Sequence, residues 1–181
     1  PSEDKALLMM RGVASTMEKH HQVQILDEAL EASVKLSHRY IPARQLPDKS
    51  VSLLDTACAR VAISLHAVPA EVDDSRRRIE ALETELQIIA REHAIGIAIG
   101  ARQSNSEALL SAERERLASL ESRWAEEKTL VDELLATRAT LREKVGVVDS
   151  GNDELRAQLV DLQQRLTALQ GETPLILPTV D

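Results

Sequence analysis

Apolar residues three and four positions apart dominate the chain from residue 79 onward. Ile79, Leu82, Leu86 and Ile89 step in this way, and Leu155, Leu159, Leu162, Leu166 and Leu169 repeat it more cleanly. This spacing keeps one helical face apolar and predicts heptad seams rather than strands. Between them, residues 105–145 hold no Pro or Gly and span on the order of 60 Å as one helix. Leu110, Leu117, Leu120, Trp124, Val131, Leu134, Leu135, Leu141 and Val145 give that helix apolar faces that drift around it, so it can pair with one partner near each end. The first third has shorter-range order. Asp27, Ala29 and Leu30 open a helix, Arg39, Tyr40 and Ile41 close it, and Leu46, Pro47, Asp48 and Lys49 open the next.

Breaks in the pattern divide the chain. Val68-Pro69 stops one helix and starts another, because Pro excludes the preceding residue from helical backbone and fits the first turn itself. A helix over residues 69–94 follows. In AIGIAIGARQSN, Gly96 and Gly100 weaken the helix, and Ser104-x-x-Glu107 offers a capping box for the next one. Ile95, Ile97 and Ile99 in this turn read as a hydrophobic knot closing an antiparallel helix pair or, alternatively, as a contact tip; the knot is favoured because hairpin tips need packing to stay ordered. Gly146 and Gly151 bracket a second break with a Ser150-x-x-Asp153 box, and Gly171 is a C-terminal stop. Asp161 and Arg165 form a favourable i, i+4 pair.

Composition narrows the class to all-α. The 181 residues include no Phe, one Trp and one Tyr, too little aromatic bulk for a large globular core, while Ala, Leu, Glu and Arg favour helix throughout. The lone Cys58 cannot form an internal disulfide and reads as a small core residue. The weakly polar run over residues 94–101 is far short of the roughly 20 residues a membrane helix needs, so no membrane association and a cytoplasmic location are expected.

The net charge is −8; residues 1–70 balance eight acids with eight bases, whereas residues 71–170 carry twenty against fourteen. That acidic stretch argues against nucleic acid, and Arg76, Arg77 and Arg78 read as a solvated helix face. His20 and His21 point about 100° apart on a helix and His38, His66 and His93 are isolated, so no metal site is expected. Glu126 and Glu127 sit in a coiled-coil stretch rather than a cleft. Trp124 reads as a packing anchor between helices.

The stretch from His21 to Arg60, HQVQILDEALEASVKLSHRYIPARQLPDKSVSLLDTACAR, resembles the small helical lid subdomain of the first ATPase ring in ClpB-type AAA+ unfoldases. Pro1-Ser2-Glu3-Asp4 and Met9-Met10-Arg11-Gly12-Val13 resemble the same family's entry into that subdomain. Several motifs in the correct order are more specific than one short pattern. VPAEVDDSRRRIEALETEL, from Val68, and RLASLESRWAEEK, from Arg116, resemble the helical middle domain inserted after that lid. The resemblance thus implies a lid subdomain over residues 1–67, an antiparallel coiled-coil arm over 68–171, and an extended link over 172–181, with Pro174 and Pro178, towards a second ATPase ring.

Within the family, YIPARQLPDKSVSLLDTACARVA, from Tyr40, looks most like the ClpV branch, whose unfoldases recycle contracted sheaths in bacterial type VI secretion. Thr56-Ala57 stands where general disaggregases usually carry an acidic residue and alanine, and the arm has none of the tyrosine that they expose at one tip.

The residues include no G-x-x-x-x-G-K-[ST] loop and no acidic strand end to hold Mg²⁺. Hydrolysis of ATP is therefore not expected of this segment, although the resemblance implies a parent AAA+ ATPase that binds ATP or ADP. It places Met9 and Val13, with Pro47 and Asp48, on the adenine side of the nucleotide. Met and Val give an apolar slot, and the helix opened by Pro47 offers backbone donors; the alternative is that they serve as core and cap residues only. Implied partners are neighbouring subunits of a homohexamer and a sheath substrate bound through other regions. A free-standing coiled-coil module explains residues 69–170 equally well but not RYIPARQLPDK, and the same segment of a general ClpB disaggregase is the other alternative.

Overall fold

Helix boundaries in the first third fall where local chemistry changes. In the computed structural model, which describes residues 1–144 and 151–181, α1 runs Glu3–His21, α2 Asp27–Tyr40 and α3 Asp48–His66. Glu3 and Asp4 occupy the first turn of α1 and Lys19, His20 and His21 its last, each sign complementing the helix dipole. Gln22 ends the helix in the left-handed region, its N–H donating to Glu18 O.

Two units make up the chain: Pro1–Ala67 with Ile176–Asp181, and Val68–Leu175. In the first, Ala6 and Met10 of α1, Ala29, Leu30 and Val34 of α2, and Leu54, Cys58 and Val61 of α3 form one core with Val23, Ile25, Leu46 and Val180. Each fully buried aliphatic side chain here contributes about 1.5–3 kcal/mol. Ser33, Ser37 and Ser50 are also buried. Ser33 donates to Leu30 O at 2.7 Å, and the Ser37 and Ser50 hydroxyls join α2 to α3 at 2.9 Å. Arg11 and Asp27 add a bidentate contact between α1 and α2 at 2.8 and 2.7 Å.

The second unit holds α4, Ala70–Ala94, α5, Arg102–Glu143, and α6, Gly151–Gln170. With 42 residues, α5 spans about 60 Å. It packs against α4 and against α6. The pairs Arg76–Glu121, Arg114–Glu83 and Arg102–Glu92 run α4 antiparallel to the first part of α5. A depression lined by Ala125, Thr129, Leu130, Glu133 and Arg165 places α6 beside the last part. The sequence expectation of two partners, one near each end, holds.

The expectation of a drifting face does not. Positions 106, 110, 113, 117, 120, 124, 127, 131, 134, 138 and 141 are all buried or half-buried, an unbroken heptad stripe. The drift is only apparent because polar Ser106, Glu113, Glu127 and Arg138 occupy register positions, while Leu130 and Thr137 are buried beside the stripe. On α4, Val72 and Ser75 begin the seam that Ile79, Leu82, Leu86 and Ile89 continue. On α6, Asn152 precedes the expected leucines, and Gly171 at φ 57 ends the helix. The expected Val145 face position, the Gly146 break and the Ser150 cap lie outside the described residues.

Two further expectations are corrected. α5 begins at Arg102, with Ala101 at its cap. Ser104 therefore lies inside the first turn, donating to Ala101 O at 3.1 Å, and Glu107 accepts from Gln103 instead of capping. Residues 172–181 also do not form one extended link. Residues up to 175 belong to the arm, whereas Ile176–Asp181 return to the first unit. Val180 pairs with Ile25 in an isolated parallel bridge, with Leu26 N–H to Val180 O at 3.0 Å and Val180 N–H to Gln24 O at 2.9 Å. Val180 is 4% exposed, so burial of an apolar side chain and two backbone bonds both favour the return. Among the described residues no single helix is long and apolar enough to cross a membrane.

Candidate functional site

The turn between α2 and α3 is tied by side chains of the turn and of α3. α2 ends as Ile41 N–H donates to Ser37 O at 3.0 Å. Five residues on, Leu46 is buried, Pro47 is half-buried and Asp48 is exposed at the mouth of α3. Lys49 is 6% exposed, and its Nζ reaches back to Ile41 O at 2.9 Å. Arg44 crosses the turn from outside, with Nη2 2.8 Å from Asp48 and Nη1 donating to Ser52 Oγ at 3.2 Å.

The backbone donors expected at this helix mouth are partly spent. Lys49 N–H donates to Gln45 O at 3.2 Å and Val51 N–H to Pro47 O at 2.9 Å. The Asp48 carboxylate is likewise engaged by Arg44. At the mouth of α3 stand the half-buried Pro47 and the exposed Asp48, the latter held by Arg44.

On α1, Met10 is fully buried whereas Met9 is 49% and Val13 38% exposed, with Leu8 beside them at 66%. Ala6, Met10 and, in part, Ala14 and Met17 supply the core face. Met9 and Val13 stand one position away from it, at the edge. α1 packs on α2 and α3, so both groups of residues belong to the same three-helix unit. Sequence reasoning missed Lys49, Arg44 and the Ser37–Ser50 pair. One signal was available: a lysine in the first turn of a helix opposes the dipole and requires a partner elsewhere.

The arm tip differs from the expected knot. Ile95 is 77% and Ile97 47% exposed, and only Ile99 is half-buried. Backbone bonds close this turn instead. Gly96 N–H donates to His93 O and Ile97 N–H to Glu92 O, both at 3.0 Å. Gly96 stands at φ +85 with open space around its missing Cβ, so the requirement there is conformational. Trp124 is half-buried on the seam.

The arm also carries a buried carboxylate. Glu127 is fully buried, accepting from Leu175 N–H at 3.0 Å and Arg123 Nε at 3.2 Å, while Arg123 also donates to Thr173 O. Near the other end, Ser75 donates to Glu113 at 2.7 Å. Arg76 pairs with Glu121, Arg77 with Asp73 and Arg78 with Glu113, the solvated ionic face read from the sequence. His21 Nε2 lies 2.7 Å from Asp55, and His38 3.7 Å from Glu3. Among the described residues no group of three or more His, Cys, Asp or Glu side chains is placed to hold a metal. Cys58 is a core residue; desolvation pushes its thiol up to about 11.

The profile of a family described as AAA lid domain matches residues 2–110. The chain belongs to that AAA lid family. It is 74% identical, over its full length, to the AAA+ ATPase ClpV1 of Pseudomonas aeruginosa strain PAO1, and covers 22% of that protein. Identity to the chaperone protein ClpB of Yersinia enterocolitica is 41% over the full chain and 21% of the relative. The S. cerevisiae Hsp104–ADP complex matches all of this chain and 28% of that one, with 26% identity and a TM-score of 0.58. The chain therefore spans about a fifth of the curated relatives it matches, and its AAA lid with coiled-coil arm is of the ClpB/ClpV type.

Proposed function

We propose that this AAA lid and its arm are the nucleotide-responsive and coupling segment of a ClpV-type unfoldase, a bacterial cytoplasmic ATPase that recycles contracted type VI sheaths. The observation that carries this reading is the contrast on α1: Met10 is fully buried, while Met9 and Val13 remain open at the edge of the same helix. An exposed apolar edge suits a purine face better than it suits water. The 74% identity to a ClpV1 ATPase and the likeness to an ADP-bound Hsp104 support the same reading. A partner core supplies the phosphate site, and ATP or ADP binds only when that core is present. In this scheme the lid turns with nucleotide state, neighbouring subunits of a homohexamer meet the exposed Ile95 and Ile97, and the sheath is engaged elsewhere.

The heptads speak against a free-standing dimeric coiled coil. Among the described residues the seams of α4, α5 and α6 are filled within one chain, leaving no long stripe there for a second copy. The deciding experiment is ADP titration of the full-length ATPase with Met9→Ser and Val13→Ser together. Loss of about 1.4 kcal/mol of apolar contact is about tenfold in Kd; an unchanged Kd would overturn the adenine-side role. Shortening the arm should alter hexamer assembly or ATPase rate while leaving nucleotide binding intact, and no change in either would sink the coupling role.

A further inference from the structure

We infer that Lys49 and Arg44 are positioning residues that hold the turn over residues 41–47 as a preformed wall for the nucleotide base; this rests on the adenine-side reading above. Lys49 stands where its own helix disfavours it. A cation in the first turn of α3 meets the positive end of the helix dipole, and burial at 6% exposure strips its water. Its compensation is the neighbour: Nζ donates to Ile41 O at 2.9 Å, at the negative end of α2. A side chain that violates the local rule twice and is repaid by one tertiary contact marks a geometry that matters.

Arg44 completes the clamp from the solvent side. It joins the middle of the turn to Asp48 at 2.8 Å and to Ser52 at 3.2 Å, both in the first part of α3. Beneath the turn, the buried Ser37–Ser50 contact at 2.9 Å fixes the two helices that flank it. The turn is thus tied at its first residue by Lys49 and at its centre by Arg44. Neither cation needs to touch the ligand. Their effect is to hold Pro47 still, so that a base meeting this wall does not have to order it on arrival.

The test uses the full-length ATPase and ADP, with Lys49→Met, Lys49→Arg and Arg44→Ala. Lys49→Met keeps the apolar stem and removes the charge. It should weaken ADP binding about fivefold to twentyfold, as loss of preorganisation does, and raise KM for ATP with little change in kcat. Lys49→Arg should restore at least part of the affinity. Arg44→Ala, on an exposed side chain, should weaken ADP about threefold without threatening the fold, and carries the test if Lys49→Met does not fold. A lower Tm with unchanged KM for Lys49→Met would mean a purely structural role and overturn the inference, as would an unchanged ADP affinity in Arg44→Ala. If these variants bind normally while Met9→Ser with Val13→Ser does not, only the clamp fails. If all bind normally, the adenine-side reading fails with it.

Discussion

The lid and the arm solve the same problem, burying apolar surface on helices with almost no aromatic residues, by different means. The lid does it with small buried residues, Ala6, Ala29, Ser33, Ser37, Ser50 and Cys58, which let short helices approach closely and make each contact specific to its position. The arm does it by repetition, one heptad stripe along α5 serving α4 and then α6. Repetition has a weakness: a seam of leucines slips by seven residues at little cost. Glu113 under Ser75 and Glu127 under Leu175 N–H are single-position contacts that such a slip would break, a role buried polar residues play in coiled coils.

The largest effect should come from the lid core. Leu54 is 1% exposed, and Leu54→Ala should cost about 3–4 kcal/mol. Reaction of the Cys58 thiol with a disulfide reagent reports the opening. Folded, this thiol is held near 11 and shielded, so labelling at pH 8 should accelerate in the variant. If amide exchange in α4 and α5 rises as much as in α3, the two units are not separately stabilised and the comparison fails.

Glu127→Ala should be nearly as damaging, about 3 kcal/mol in urea unfolding, because it takes the carboxylate from Arg123 and leaves the Leu175 N–H without its acceptor. Leucine at both 123 and 127 should recover much of that loss. Recovery of stability with faster exchange at Leu175 would separate packing from the pinning of the chain after α6. Ser75→Ala comes next, at about 1 kcal/mol, since Glu113 keeps Arg78 and Arg116 nearby. An unchanged midpoint would deny that this bond contributes to register.

The smallest effect belongs to the exposed Arg11–Asp27 pair. The Arg11 hydrogen bond holds the Asp27 carboxyl below its ordinary value. Its contribution is therefore complete above the usual carboxylate range and is lost as pH falls through the depressed value. Asp27→Asn should flatten the acid limb of the lid's Tm against pH slightly; an identical limb in the variant would assign no linkage to this pair.

Much of this was legible in advance. The α4 and α6 seams, the change of organisation at Val68-Pro69 and the Gly171 stop follow from spacing and from backbone rules that act over a few residues. Other features were not. Glu113 and Glu127 look like surface residues in a charged helix until their partners, 38 and 48 residues away, are in place. Ser104 and Glu107 match a capping box, yet Gly100 at φ 55 turns the chain early enough for α5 to start at Arg102. Ile95 and Ile97 looked like a knot because their alternation was visible and the direction of the turn was not.

By itself the sequence determined the helical class, the α4 and α6 seams, the change at Val68-Pro69, the Gly171 stop and the family, because these depend on local propensity, on 3.6-residue periodicity and on motifs read in order. Only the tertiary structure decided which polar groups are buried, that Val180 returns to pair with Ile25, and that Lys49 faces the end of α2 rather than solvent. Those outcomes depend on what residues far apart in the chain offer one another once water is excluded, and no local pattern carries that information.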